Sequence, residues 1–343
     1  MERLNRIRGF LAGDVGSAIF VLMCLAVLVW MVGLLIQSPH SLLQTLVIGL
    51  TDGSIFALIA LGYTMVYGII ELINFAHGDI FTLGAFVGIS VLGLFGISSG
   101  RAFGPLVFVI IIATAFVVMA INGLVNITIE RIAYRPLRNA PRLAPLITAI
   151  GMSFILEGVM FLWHGPFNVI FPQLLPTTGF HFGRVFVGTK DIVAVTAAVI
   201  LVVALSIFIN PTRLGKAMRA TAQDRDAAQL MGIDINRTIA ATFFIGAALA
   251  GAGGVIYGLY FNTVRFDLGF SAGLVAFTAA VFGGIGNIEG AALGGLLIGI
   301  IRAMSERYVR LPGTDPDVII FAVLIIVLVF RPTGLLGMRV PEK

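Results

Sequence analysis

Between Gly104 and Thr128 the chain runs for 25 residues without a charged side chain. A helix of about 20 apolar residues crosses the hydrocarbon of a bilayer, so this stretch alone is long enough to span. Runs of this kind fill most of the 343 residues and lift the mean hydropathy to +1.05, well above the range of soluble domains. In hydrocarbon every backbone polar group must be satisfied within the chain, which leaves helices or closed barrels. Barrel strands would read as short alternating segments, and the sequence has none. We therefore read an all-α, polytopic membrane protein of about ten helical segments, a single transmembrane domain over residues 1–343.

The segments lie at 15–36, 42–70, 75–97, 104–128, 143–163, 190–209, 237–260, 271–286, 288–303 and 316–330. The second is too long for one straight crossing and holds TDGS at Thr51–Ser54, which predicts a tilted or broken helix. The eighth is short and glycine-rich, and it either crosses or turns back. At the N-terminus, Arg3, Arg6 and Arg8 precede an apolar run longer than the core of a cleaved signal. That pattern reads as an uncleaved first span with a cytoplasmic N-terminus. With ten crossings, 15 of the 22 basic residues fall in cytoplasmic loops, as the bias of Lys and Arg requires. If the eighth segment turns back, Arg302, Arg307 and Arg310 trade sides with three C-terminal charges and the tally is unchanged. The net charge of +5 thus records loop placement, not affinity for nucleic acid.

Cysteine and histidine add little. The one cysteine, Cys24, lies in an apolar run, which leaves no disulfide framework and no cysteine-based metal site. His40, His164 and His181 are scattered singly, against a metal site. Neither G-x-S-x-G nor H-E-x-x-H occurs, which argues against an intramembrane hydrolase of those types. The glycine pairs Gly84/Gly88, Gly254/Gly258 and Gly295/Gly299 have G-x-x-x-G spacing and read as helix-packing contacts, within the chain or against a partner. His77–Gly88 and Glu289–Gly299 share a polar residue and a glycine pair. They are either an internal repeat of two outward-running segments or a coincidence of composition.

Three loops stand out. Glu130–Arg142 is basic and punctuated by proline. The longest outer loop, residues 164–189, has three prolines and several aromatics and reads as an ordered surface suited to docking. The third is the polar island 210–237. Asn210-Pro211 ends the preceding span, because proline cannot continue the hydrogen-bond ladder. From Arg213 to Met231 the residues favour a helix. Leu214, Met218, Thr221, Arg225 and Ala228 recur at spacings of three and four and so share one face. Arg213, Lys216, Asp224 and Asp226 lie largely off it, and Gly232 supplies the stop. Ala227 and Ala228 are expected to be exposed near the end, where small side chains let another protein come close. By periodicity alone this is equally an amphipathic helix lying on the membrane surface.

The segment DAAQLMG (Asp226–Gly232) resembles the EAA motif of ABC importer permeases, with Asp226 in place of the usual glutamate and without the family's downstream proline. Gly53–Phe86 and Gly269–Ile300 resemble permeases of the branched-chain amino acid (leucine/isoleucine/valine) uptake family, the H-type subunit most closely. The likeness covers roughly residues 40–330. It implies coupling to an ATPase through Arg213, Gly215, Asp226, Ala227, Ala228 and Gly232. It also implies a second homologous permease, two cytoplasmic ABC ATPases and a periplasmic substrate-binding protein, in the bacterial inner membrane. The residues agree on one point: no G-x-x-x-x-G-K-[ST] phosphate loop is present. Gly215-Lys216 has Asn210 and Ala217 where the loop needs glycine and a hydroxyl. The chain is expected to carry no cofactor and no catalytic site, with ATP and Mg²⁺ bound by the partner subunits.

Polar residues near the spans are the candidates for a translocation path or gate: Asn74, His77, Asp79, Asn122, Asn126 and Glu157. Glu71–Asp79 reads either as a solvated turn or as a gate at the inner end. Asn122, Asn126 and Glu130 form one stripe, which lines an aqueous route or bonds to another helix; Thr148, Ser153 and Glu157 have the same two readings. The rival function is a stand-alone, ion-coupled secondary transporter or channel. It needs paired intramembrane carboxylates, and only Asp52, Glu157 and Glu289 offer themselves.

Overall fold

The computed structural model describes residues 25–26, 28–70, 74–97, 104, 106–138, 140–141, 143–309, 316–331 and 333–337. The basic N-terminal stretch, Cys24, Glu71 and Arg142 lie outside them. The helices are α1 (Leu28–Gln37), α2 (Pro39–Ile70), α3 (His77–Leu94), α4 (Leu106–Ile129), α5 (Leu143–His164), α6 (Thr189–Ile209), α7 (Arg213–Gln223), α8 (Arg225–Leu230), α9 (Ile235–Phe261), α10 (Leu268–Gly283), α11 (Ile288–Tyr308) and α12 (Asp317–Phe330). A π turn, Glu130–Tyr134, and a 3₁₀ turn, Arg135–Leu137, extend α4. Among the described residues seven helices are long and apolar enough to cross a membrane, and α1, α10 and α12 are shorter apolar helices. The all-α, polytopic reading holds, with ten apolar segments in the expected order.

Two short sheets gather at one end. β1 (Val169–Ile170) pairs antiparallel with β4 (Thr263–Val264), and β2 (Gly179–Phe182) with β3 (Val185–Gly188). The loop 164–189 is thus ordered, as expected. Gln44 clamps the hairpin to α2, accepting from the Phe186 amide at 2.8 Å and donating to its carbonyl at 3.0 Å. The start of α2, the starts of α6 and β4 and the end of α11 share this hairpin end. The ends of α2 and α6 lie with α7 and α8 at the other.

The second segment is one unbroken helix. Thr51–Ser54 do not interrupt α2, because Thr51 and Ser54 turn their hydroxyls back onto the carbonyls of Val47 and Leu50. At 32 residues α2 extends about 48 Å and passes through the middle of the fold. It is held by close backbone approach. A Cβ on Gly49 would stand 2.7 Å from the Cα of Ile300, and one on Gly53 2.8 Å from the Cα of Leu296. The Gly295/Gly299 pair supplies the other half of this seam. Gly84 and Gly254 pack α3 against α9 in the same way. All three glycine pairs therefore make contacts within the chain.

Two connections bear on alternatives that the sequence leaves open. α10 runs toward the far end: Gly269 near its start packs against Asp79, and Gly286, just after it, touches Gly68 near the far end of α2. Its 16 residues reach about 24 Å, short of the ~30 Å hydrocarbon core of a bilayer. The second concerns the chain after Ile70. His77 lies beside Gly62, eight residues and about 12 Å back along α2 from its end. α3 therefore starts inside the bundle. Asn74, His77 and Asp79 are almost wholly buried, and the solvated-turn reading is corrected for these three. α3 and α11 both run toward the hairpin end, the direction that the repeat of His77–Gly88 and Glu289–Gly299 requires.

Candidate functional site

The island 210–237 folds as two helices, not one. Thr212 caps α7, accepting from the Gly215 amide at 3.2 Å. Asp224 then leaves helical geometry and its carboxylate accepts from the amides of Asp226 (2.9 Å) and Ala227 (3.0 Å), starting α8. An aspartate is among the best N-caps, so the break was legible in its position. Gly232 closes the unit with φ +85°, a left-handed conformation that glycine adopts without strain.

The predicted inward face is correct. Met218, Thr221 and Ala228 are buried, Leu214 packs against the core, and Arg213, Lys216, Asp224 and Asp226 are exposed. Ala228 itself is a correction: the sequence reading puts it on the surface with Ala227, yet it is only 4% exposed, because it continues the inward face. Two arginines tie the unit to the membrane helices. Arg219 donates to the carbonyls of Ile209 and Asn210, at 3.2 and 3.1 Å, finishing α6. Arg225 donates to the Ile70 carbonyl at 2.9 Å and finishes α2. Helix ends carry unpaired carbonyls and negative partial charge, which is what a guanidinium satisfies. Gly215 abuts the Ile209 carbonyl, so no side chain fits there.

The part that projects away is apolar. Leu230 and Met231 are 88% and 83% exposed at the tip of the unit. Sequence reasoning passes over them, although two large apolar residues just before a helix-stopping glycine are an available signal. Beside them, Arg138 pairs with Glu130 and donates to Asn236 at 2.7 Å, bracing the end of α4 against the start of α9. Burial lowers the Arg138 guanidinium from its ordinary value, and the Glu130 carboxylate opposes that shift.

Toward the hairpin end, α2, α9, α10, α11 and α12 surround a cavity of about 250 Å³. Asp52, Tyr257, Tyr260, Arg302, Glu306 and Asp317 supply its polar groups. Arg302 pairs through Nε with Asp317 at 3.2 Å and Glu306 at 3.6 Å, and lies over the Phe56 ring at 5.5 Å.

Among known proteins, the family described as "Branched-chain amino acid transport system / permease component" matches residues 45–328. The chain belongs to that family. It is 44% identical over 309 residues to the high-affinity branched-chain amino acid transport system permease protein BraD of Pseudomonas aeruginosa, covering 88% of this chain and 97% of that one. Identity to LivH of Escherichia coli K12 is 44% over 316 residues, with the same coverage of each chain. A probable branched-chain permease of Methanocaldococcus jannaschii is 30% identical over 299 residues, covering 83% and 89%. The chain is thus a transport-system permease, and the reading as a stand-alone secondary transporter falls away.

The permease's predicted path residues do not form one route. Asn122 donates to the Ile80 carbonyl at 2.7 Å and Asn126 to the Phe243 carbonyl at 2.8 Å. Both fasten α4 to its neighbours, the interhelical reading of that stripe. Asn74, His77 and Asp79 do come together. Asn74 accepts from the Tyr134 hydroxyl at 2.6 Å, His77 lies edge-on to Tyr63, and Asp79 accepts from Ser153 and packs against Gly269. Glu157 lies apart, in a surface depression with Arg265 and Asp267. None of the six lines the cavity, whose Arg302, Glu306 and Asp317 pass for loop charges in the sequence. An arginine within an apolar helix is the missed signal, since such residues are costly in hydrocarbon and tend to be functional.

Proposed function

We propose that this permease is the membrane-embedded subunit of an ATP-driven importer for branched-chain or other aliphatic amino acids, in the bacterial inner membrane. The observation that carries it is the α7–α8 unit. It is capped onto α2 and α6 by Arg225 and Arg219 while Leu230 and Met231 stand free. A rigid unit with an apolar tip, at the end where basic loops place the cytoplasm, fits a groove in a partner. That partner is one of two ABC ATPases, which hold ATP and Mg²⁺. A movement of the ATPase reaches α2 and α6 directly through the two arginines, with Gly215 and Ala228 as the close contacts that keep the unit from rocking.

A second, homologous permease completes the pathway. The hairpin end receives a periplasmic binding protein, for which Phe180 and Phe182 of the hairpin, 64% and 72% exposed, offer apolar contacts. Asn74, His77 and Asp79 form the gate beneath, where α3 starts inside the bundle, with Asn122 and Asn126 holding its wall. The test is affinity purification in mild detergent, then an ATPase assay of the co-eluting proteins. An ATPase and a second permease are expected. Recovery of neither, with uptake by this chain alone in liposomes, would end the proposal.

A further inference from the structure

The cavity near the hairpin end has a composition that the gate and the α7–α8 unit do not explain. Asp52 is 8% exposed, yet its Oδ1 is fully buried and has no hydrogen-bond partner. A buried carboxylate oxygen without a donor is costly, more so than a paired one is favourable. Oδ1 itself is closed off, but the side chain as a whole keeps some exposure and lines the cavity, where a donor from outside the chain meets it. Across the space stands Arg302. The α2–α11 glycine seam brings the two together, because Gly49 and Gly53 touch Ile300 and Leu296. The ion pairs of Arg302 run through Nε, at 3.2 Å to Asp317 and 3.6 Å to Glu306. A guanidinium fork matches a carboxylate.

We infer that this cavity is the solute-binding site of the permease: it holds an aliphatic α-amino acid as a zwitterion, the ammonium on Asp52 and the carboxylate on the Nη fork of Arg302. The inference rests on the importer reading and deepens it. Three carboxyl side chains, Asp52, Glu306 and Asp317, face one guanidinium here. The lining therefore disfavours an anion that brings no positive charge of its own, and a carboxylate enters only with an ammonium attached. Ile55, Phe56, Leu268 and Val275 form an apolar wall for the side chain. The volume of about 250 Å³ lies below the ~300 Å³ at which drug-sized sites begin, the scale of a single small amino acid.

The test uses the full complex in proteoliposomes, with Cys24→Ser to remove the one native cysteine and Ser271→Cys on the cavity wall. Modification of the cysteine at 271 by a charged methanethiosulfonate is followed as a mass shift on this chain. Leucine at about ten times its Kd is expected to slow it roughly tenfold. Leucinamide, which lacks the carboxylate, and 4-methylpentanoate, which lacks the ammonium, leave it fast at the same concentration. Asp52→Asn weakens protection by roughly tenfold or more, and Asp52→Glu restores part of it. Co-elution of each variant with its partner subunits checks assembly. Should Asp52→Asn fail to assemble, the three solutes on the unaltered Asp52 still decide. If the vesicles take up leucine with ATP but leucine gives no protection, the site is wrong and the importer reading stands. Full protection by 4-methylpentanoate, or full protection in an assembled Asp52→Asn complex, overturns it as well. If the vesicles take up no amino acid at all, the importer reading fails and takes the site with it.

Discussion

Two groups of helices in this permease are alike in being long and apolar enough to span, yet are built for different surroundings. In α2, 89% of the apolar window is buried; in α5 and α6 it is 22%. Lipid is as apolar as leucine, so apolar length alone gives helices no reason to associate. The difference lies in the residues that interrupt the apolar run. Glycines of α2 and α11 meet backbone of the facing helix, whereas a Cβ added at Gly151 or Gly158 of α5 would have nothing within 4 Å. Buried Asn, Asp and His side chains likewise sit where α3, α4 and α9 meet. Apolar length identifies a span, and close backbone contact with paired polar groups identifies an inside one.

That contrast can be broken most directly at the glycines. Gly299→Leu should force α11 off α2 and destabilise the fold by about 3 kcal/mol or more, read as loss of the monodisperse peak on heating in detergent. Gly158→Leu should stay within about 0.5 kcal/mol of the parent. Equal effects would refute the division into inner and outer helices. Arg225→Ala removes the guanidinium that finishes α2 and should cost about 2 kcal/mol, by the same assay. Thr212→Ala should cost about 1 kcal/mol, felt chiefly as faster hydrogen exchange at Gly215 and its neighbours. Asn126→Leu should cost about 0.6 kcal/mol, the usual worth of a single interhelical bond in a bilayer.

Most of the architecture was legible because its causes are local. Ten apolar segments come from length, and the inward face of α7–α8 comes from the spacing of Leu214, Met218, Thr221, Arg225 and Ala228. Depth was not legible. Asn74, His77 and Asp79 come after a span, and nothing local says whether the chain then leaves the membrane or climbs back beside Gly62. Only the α2–α3 contact decides that. Ala228 is misplaced where its small size is read as exposure beside Ala227, because the three- and four-residue spacing already puts it on the inward face. Asp52 was legible as a membrane carboxylate but not as sharing a cavity with Arg302, since the glycine seam that aligns them joins residues some 250 positions apart.

The central claim is that drive enters this permease through α7–α8. The direct measurement is ATP-dependent leucine uptake by proteoliposomes containing the complete complex, with Gly232→Val compared with the parent. Valine is strained at φ +85°, so the tip bearing Leu230 and Met231 must shift. The complex should still insert and assemble while uptake falls by roughly tenfold or more, a loss of about 1.4 kcal/mol of coupling. Uptake at the parental rate in an assembled Gly232→Val complex would contradict the claim.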